Sequence, residues 1–303
     1  MKLNENLPEK ILLFGKNGQI GWELQRTLAP LGQIIALDKP DLDFTDLMLI
    51  REKVREIKPG IIVNAAGYTA VDRAEEEPEL AMAVNGYAAG VLAEEAKRAG
   101  ALLIHYSSDY VFDGINNRPY TEEDVPHPLN VYGKTKLFSE QAIQAAGGNY
   151  LIFRTSWVYG NRGQNFLLTM LRLAREREEI KVVNDQIGAP TWCRMIAEST
   201  AAVLAGGIDR KAGFFEYFEE LKGLYHMTAG GQTSWFGFAQ KIFETIPDTE
   251  RKLKRLMPIS TEEYPAAALR PKYSVMDNGK LQKVFDIYTA AVPWFESLKY
   301  MQV

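Results

Sequence analysis

Cysteine is close to absent from this chain. Cys193 is the only one among 303 residues, so no disulfide closes within the chain and no cysteine cluster holds zinc. That scarcity fits a reducing compartment. An excess of one charge is absent as well: 35 Lys and Arg against 39 Asp and Glu leave a net charge of −4. The broad basic field of sequence-independent nucleic-acid binding is therefore missing. No segment approaches the roughly 18 uninterrupted apolar residues of a membrane-spanning helix. Charges and a proline fill Met1–Lys10, where a signal peptide would place its apolar stretch. Internal repeats and low-complexity tracts are lacking too. The expectation is a cytoplasmic protein that engages neither membrane nor nucleic acid.

What is present is ordinary globular material. Apolar residues make up 46% and charged residues 24%, enough to build a core. The length predicts one large α/β domain or two modest ones. Short apolar runs stand at 11–14, 34–37, 61–63, 102–106 and 150–153. Helical spacing appears between them, at about 19–31, 45–58, 78–99 and 133–145. Continuous apolar strands alternating with helices predict a parallel sheet covered on both faces. Beyond Tyr159 the rhythm loosens. Helices are expected near 164–178, 191–205 and 234–245, a strand at 180–183, and mostly loop over 247–275, where four prolines fall. The aromatic-rich segment 211–222 reads as a core element or a dimer contact.

The first apolar run leads directly into Gly15-Lys16-Asn17-Gly18-Gln19-Ile20-Gly21. In a strand-to-helix turn the first glycine permits the tight bend. The second lets backbone N–H groups approach a pyrophosphate, and the third lets the helix pack closely on the sheet. Asp38 closes the second apolar run. Its carboxylate can accept hydrogen bonds from the adenosine ribose and would repel a 2′-phosphate, whereas Lys39 beside it would attract one. The expectation is NADH, with NADPH also accepted.

Tyr132 and Lys136 form the one Y-x-x-x-K pair in the chain, after the fourth apolar run. At i and i+4 they share a helical face, where the ammonium can lower the phenol pKa and reach the nicotinamide ribose. Ser107 and Ser108 stand at the end of that fourth run and offer a hydroxyl to the reacting oxygen, or serve only as turn residues.

These residues carry a resemblance. The turn Gly15 to Gly21, Asn64-Ala65-Ala66-Gly67, Ser107-Ser108-Asp109-Tyr110-Val111-Phe112 and Tyr132 to Lys136 resemble the extended short-chain dehydrogenase/reductase superfamily. A second set is similar to one family within it, the dTDP-4-dehydrorhamnose reductases. That set comprises Gly18 to Leu24, Asp72-Arg73-Ala74-Glu75, Arg154 to Tyr159, Asn184 to Thr191 and Arg270-Pro271-Lys272. It spans nearly the whole chain.

The resemblance implies a Rossmann-type doubly wound parallel sheet with a smaller C-terminal substrate-binding domain. Residues 1–157 would form the dinucleotide-binding domain and 158–303 mainly the other, with segments near 191–205 and 223–228 returning to the first. It implies reduction of the 4-keto group of dTDP-4-dehydro-L-rhamnose to dTDP-L-rhamnose by NADH or NADPH, the final step of dTDP-rhamnose synthesis. A homodimer is a further expectation. The catalytic set carries onto Ser108, Tyr132 and Lys136. Besides Gly15 and those last two, cofactor contacts carry onto Gly18, Gln19, Ile20, Asp38, Asp43 and Phe44. Gly67, Tyr68, Thr69 and Tyr106 complete them. Phe44 is read either as an edge over the adenine or as core. Substrate contacts carry onto Ser108, Asp109, Trp157 and Asn165, with Trp157 stacking on the sugar or buried.

Some relatives hold magnesium through glutamates at a dimer contact. Glu23 fits one such position, but Arg194 stands where another carboxylate is expected, so no metal is predicted. A 4,6-dehydratase would need an acidic pair after the catalytic hydroxyl, and Tyr110 follows Asp109. The alternative is a non-catalytic, NAD(P)-binding regulatory subunit of the same fold.

Overall fold

Apolar runs with no polar face are stable only as strands buried on both sides, and the computed structural model places them there. It describes residues 9–301 apart from 209 and 212. Most of the N-terminal stretch read for a targeting signal, and Ala212 of the aromatic segment, lie outside the described residues. From the N-terminus, β1 (Lys10–Phe14), α1 (Gln19–Leu28), β2 (Gln33–Leu37), α2 (Leu47–Ile57) and β3 (Ile61–Asn64) alternate as expected. The short helices α3 (Val71–Ala74) and α4 (Pro78–Met82) follow, then α5 (Ala88–Ala99), β4 (Leu102–Ser108), α6 (Val131–Ala146) and β5 (Asn149–Thr155). The helix expected over 78–99 is not continuous α-helix. A π turn over Ala83–Tyr87 separates α4 from α5, and such turns are frequent at functional sites.

The remainder runs β6 (Val158–Tyr159), α7 (Phe166–Glu176), β7 (Glu179–Val183), β8 (Ile187–Gly188) and β9 (Thr191–Trp192). Then come α8 (Cys193–Ala205), α9 (Phe214–Glu220), β10 (Gly223–His226), β11 (Thr233–Ser234), α10 (Trp235–Phe243), β12 (Arg255–Ile259) and α11 (Gly279–Phe285). Among the described residues no helix is long and apolar enough to cross a membrane.

Six strands pair in parallel in the order β10-β5-β4-β3-β1-β2. The order reverses between β1 and β3, and in such sheets the ligand crevice opens at the carboxyl ends of the strands beside that point. On one face α1, α8 and α9 bury Leu24, Leu28, Ile196, Phe214 and Phe218 against Ile11, Leu13 and Phe153. Phe214 and Phe218 thus make the aromatic segment a core element. On the other face α2, α5 and α6 bury Ile50, Val54, Leu92 and Ile143 against Leu12, Phe14 and Ile62. A separate core gathers α7, α10, β7 and the C-terminal residues Trp294, Leu298 and Met301. β10 arrives from this later part of the chain to extend the sheet beside β5.

Candidate active site

The glycine turn follows β1 in a conformation only glycine tolerates. Gly15 has φ +80°, and a Cβ there would stand 2.6 Å from the Ala66 backbone nitrogen. At Gly21 a Cβ would collide with the Gly15 carbonyl, so the third glycine seats α1 on the turn. Gly18 differs. A Cβ there would meet only Gly15 O at 3.3 Å and Ala65 O at 4.0 Å, and it caps α1 without a side chain. The nearer of these contacts is already tight against backbone, so a side chain at Gly18 would crowd the turn. With glycine there no side chain stands over the first-turn N–H groups of α1, and the residues present suit the pyrophosphate of a dinucleotide.

Asp38 reaches back to this turn, accepting from Asn17 N at 2.8 Å and Lys39 N at 2.7 Å. Lys16 pairs with Asp41 at 2.6 Å. Asp43 closes a local turn, accepting from the backbone N and hydroxyl of Thr45. Phe44 follows the core reading: it is 8% exposed and packs edge-on against Phe14. Gly67 and Thr69 are exposed and Tyr68 partly so, on the loop after β3. That loop is held by Asn85, which accepts from Tyr68 N at 2.8 Å and donates to Tyr68 O and to Thr135 Oγ1. Asn85 lies in the π turn and ties the loop to α6. Sequence reasoning passed over it, although one amide in an alanine-rich helix was a signal.

β4 and α6 bring Ser108, Tyr132 and Lys136 together. Asn130 caps α6 by accepting from Gly133 N at 2.7 Å, which places Tyr132 in the first turn. The expected lowering of its pKa is not what the surroundings produce. Burial pushes the phenol up to about 12, the Asp109 carboxylate reinforces this, and the Ser108 hydroxyl offsets part of it. The Lys136 ammonium is instead tied to the Tyr106 carbonyl at 2.6 Å. Its burial lowers its own pKa to about 8, against the support of Glu140. Tyr106 serves here through that carbonyl, since its phenol bonds Thr200 and its ring lies in the core.

Ser108 donates to Asp109 at 3.0 Å, and Ser156 donates to the other carboxylate oxygen at 2.9 Å. Burial pushes Asp109 up to about 6 in spite of these hydroxyls and that of Ser274. The arrangement offers a protonated phenol, a hydroxyl and an ammonium at the carboxyl end of β4, two strands from the glycine turn after β1. That set can protonate an oxygen while a carbonyl carbon is reduced.

The model of the RmlD substrate binding domain matches residues 9–302. The chain belongs to the dTDP-4-dehydrorhamnose reductase family. A dTDP-4-dehydrorhamnose reductase from Burkholderia thailandensis is 50% identical over 283 residues, covering 92% of this chain and 93% of that one. A crystal structure of the Clostridium acetobutylicum reductase has 39% identity and a TM-score of 0.86, covering 96% of this chain and 97% of its own. The Bacillus anthracis reductase, solved in complex with NADP, has 38% identity and the same TM-score, covering 97% and 99%.

Motifs that mark the reductase family in the sequence meet in space. Arg270 pairs with Asp72 at 2.6 Å across 198 positions, while Glu75 accepts from Val131 N at 2.8 Å at the start of α6. Asn130 also donates to Leu269 O. The Asp72 and Arg270 segments therefore fix the end of the helix that bears Tyr132, and Tyr110 lies edge-on to the Tyr132 ring.

The stretch Asn184 to Thr191 serves Trp157. That residue has φ +46°, a strained conformation for an indole-bearing residue. One face stacks on Trp235 at 3.5 Å, and a Cβ at Gly188 would stand 2.5 Å from the ring. Gln186 accepts from the Trp235 indole N–H at 3.1 Å and so holds the stack. Trp157 is partly exposed, with Trp235 covering one face and Gly188 close against the ring.

Two residues expected to contact ligand also make contacts within the fold. Asn165 caps α7 through Leu168 N and donates to Gln19 Oε1 at 2.9 Å and Gly160 O at 2.8 Å. Its amide is satisfied inside the protein, and it bears on the site by positioning Gln19. Ile20 packs against the α1-side core. Arg194 lies on Glu23, with Nε 3.1 Å from the carboxylate, so that glutamate is already paired with a cation.

Proposed function

We propose that this chain reduces the 4-keto group of dTDP-4-dehydro-L-rhamnose to dTDP-L-rhamnose with NAD(P)H. Ser108, Tyr132 and Lys136 do the proton chemistry. The observation that carries the reading is that they stand, like the glycine turn, at the carboxyl ends of the parallel strands, in a chain of the reductase family. When bound, NAD(P)H supplies the hydride to C4. Tyr132 gives its phenolic proton to O4, which gains charge as the carbonyl is reduced. A pKa near 12 keeps that proton in place until the oxygen becomes basic enough to take it. Ser108, whose single proton points to Asp109 in the free protein, turns it to the same oxygen when the sugar is bound. Lys136 supplies positive charge behind the phenolate that results. The glycine turn holds the pyrophosphate, Asp38 the adenosine ribose, and Trp157 the sugar nucleotide's side of the crevice.

The reaction belongs to a cytoplasmic enzyme in this reading, in keeping with a lone cysteine that is buried and held as thiol. The expected homodimer has an apolar surface available in Leu80, Tyr87 and Phe138 near the start of α5 and along α6.

The test offers dTDP-4-dehydro-L-rhamnose beside the corresponding UDP and GDP keto-sugars, with each reduced coenzyme, and follows NAD(P)H absorbance. The dTDP sugar should be consumed fastest, with one alcohol formed per coenzyme oxidised. Coenzyme binding without oxidation on any sugar would instead favour the regulatory-subunit alternative.

A further inference from the structure

Among the described residues two buried side-chain polar atoms lack a hydrogen-bond partner in the protein, the hydroxyls of Thr155 and Thr289. Thr289 sits in a C-terminal turn. Thr155 ends β5, at the carboxyl end of the strand, and is 6% exposed. A buried hydroxyl left without a partner is costly, and such groups persist where something outside the fold completes them.

The neighbours of Thr155 are all committed. Arg154 turns to Glu140, with contacts of 2.6 and 2.8 Å, Ser156 turns to Asp109, and Trp157 stacks on Trp235. Thr155 shares a strand face with Phe153, on the side of the sheet covered by α1. It pairs in register with Ser108 on β4. Adjacent strands lie about 4.8 Å apart, so its hydroxyl stands one strand beyond the group that meets the reacting oxygen.

We propose that the Thr155 hydroxyl binds the carboxamide of the nicotinamide ring. The inference rests on the nicotinamide-dependent reading above. With the pyrophosphate at the turn after β1 and the adenosine toward Asp38 on β2, the other half of the dinucleotide runs across β3 and β4 toward β5. The carboxamide is attached to the carbon next to the reacting ring carbon, which brings it within a strand spacing of Ser108. It both donates and accepts hydrogen bonds, as a hydroxyl does. One such bond fixes the ring's rotation and hence the face it presents to the sugar.

The test is calorimetric binding of NADPH and of 2′-phospho-ADP-ribose, which lacks only the nicotinamide, to the full chain and to Thr155→Val and Thr155→Ser. The valine variant should bind NADPH about 3- to 10-fold more weakly, the worth of one net hydrogen bond. It should bind 2′-phospho-ADP-ribose within twofold of the unmodified chain, and its ligand-free Tm should not fall. The serine variant should retain NADPH affinity. Equal weakening of both ligands, or no weakening of either, overturns the assignment; so does an effect confined to the KM of the sugar nucleotide. Should Thr155→Val not fold, Thr155→Ala is read by the same criteria. An unmodified chain that binds neither ligand defeats the parent reading, whereas normal binding with an indifferent valine variant defeats this proposal alone.

Discussion

Tyr132 and Lys136 are driven in opposite directions by the same cause. Burial disfavours phenolate on the tyrosine and ammonium on the lysine. At neutral pH both still hold their protons, which is the state the reduction needs. The window has two edges. Lys136, lowered to about 8, loses its charge as pH rises through that value. Asp109, raised to about 6, is protonated as pH falls through that value and then accepts the Ser108 hydroxyl less well. The rate with saturating substrate should therefore plateau between about 6 and 8 and fall on both sides. Asp109→Asn should remove the acid limb while lowering the plateau, and a pH–rate profile of both proteins checks this.

At the adenosine end, Asp38→Ala removes the carboxylate that opposes a 2′-phosphate and leaves Lys39 in place. The ratio of kcat/KM for NADPH over NADH should rise about tenfold, the scale of a largely solvated like-charge contact. Competitive assays with both coenzymes measure it. Chemistry-bearing residues with fixed spacing, such as Gly15 to Gly21 and Tyr132 with Lys136, were readable from the sequence. The direction of the Tyr132 pKa was not, because it depends on burial and on where the Lys136 ammonium points.

Elements place these side chains because buried polar contacts lock the elements to each other. The Glu140–Arg154 pair joins α6 to β5, with both side chains 3% exposed. Ser107 adds a hydrogen bond from β4 to Glu140 at 2.5 Å. Removing one partner strands a buried charge, so Glu140→Ala should cost about 3–5 kcal/mol. By contrast, Glu244→Ala breaks an exposed pair with Lys241 and should cost less than about 1 kcal/mol. Urea unfolding of both variants separates the two. Strands and long helices were legible because apolar runs and helical spacing report burial directly. The π turn at Ala83–Tyr87 was hidden, since an alanine-rich segment carries the same pattern with or without the bulge. The pairing of Asp72 with Arg270 was equally hidden, because no local pattern links positions so far apart.

Across the whole molecule, two cores sandwich the parallel sheet and a third gathers the later helices, with the crevice at the carboxyl ends of the strands. Strands β1 to β5 alternate with helices in the sequence and were read from it. β10 joins the sheet from past residue 222, an arrangement that periodicity does not reveal because four residues carry little pattern. The glycine turn comes from the first strand-helix junction, whereas Trp157 and the loop Asn184 to Thr191 that braces it come from the later chain. The glycine turn after β1 and the helix that bears Tyr132 after β4 thus both follow carboxyl ends of strands in one sheet.

That account stands or falls on the proton donor. Tyr132→Phe keeps the ring and its packing and removes only the proton. With dTDP-4-dehydro-L-rhamnose and NADPH, kcat should fall by about 10²–10⁴ while the dissociation constant for NADPH, measured on the same protein, stays within twofold. Turnover by the phenylalanine variant at the rate of the unmodified chain would contradict the account.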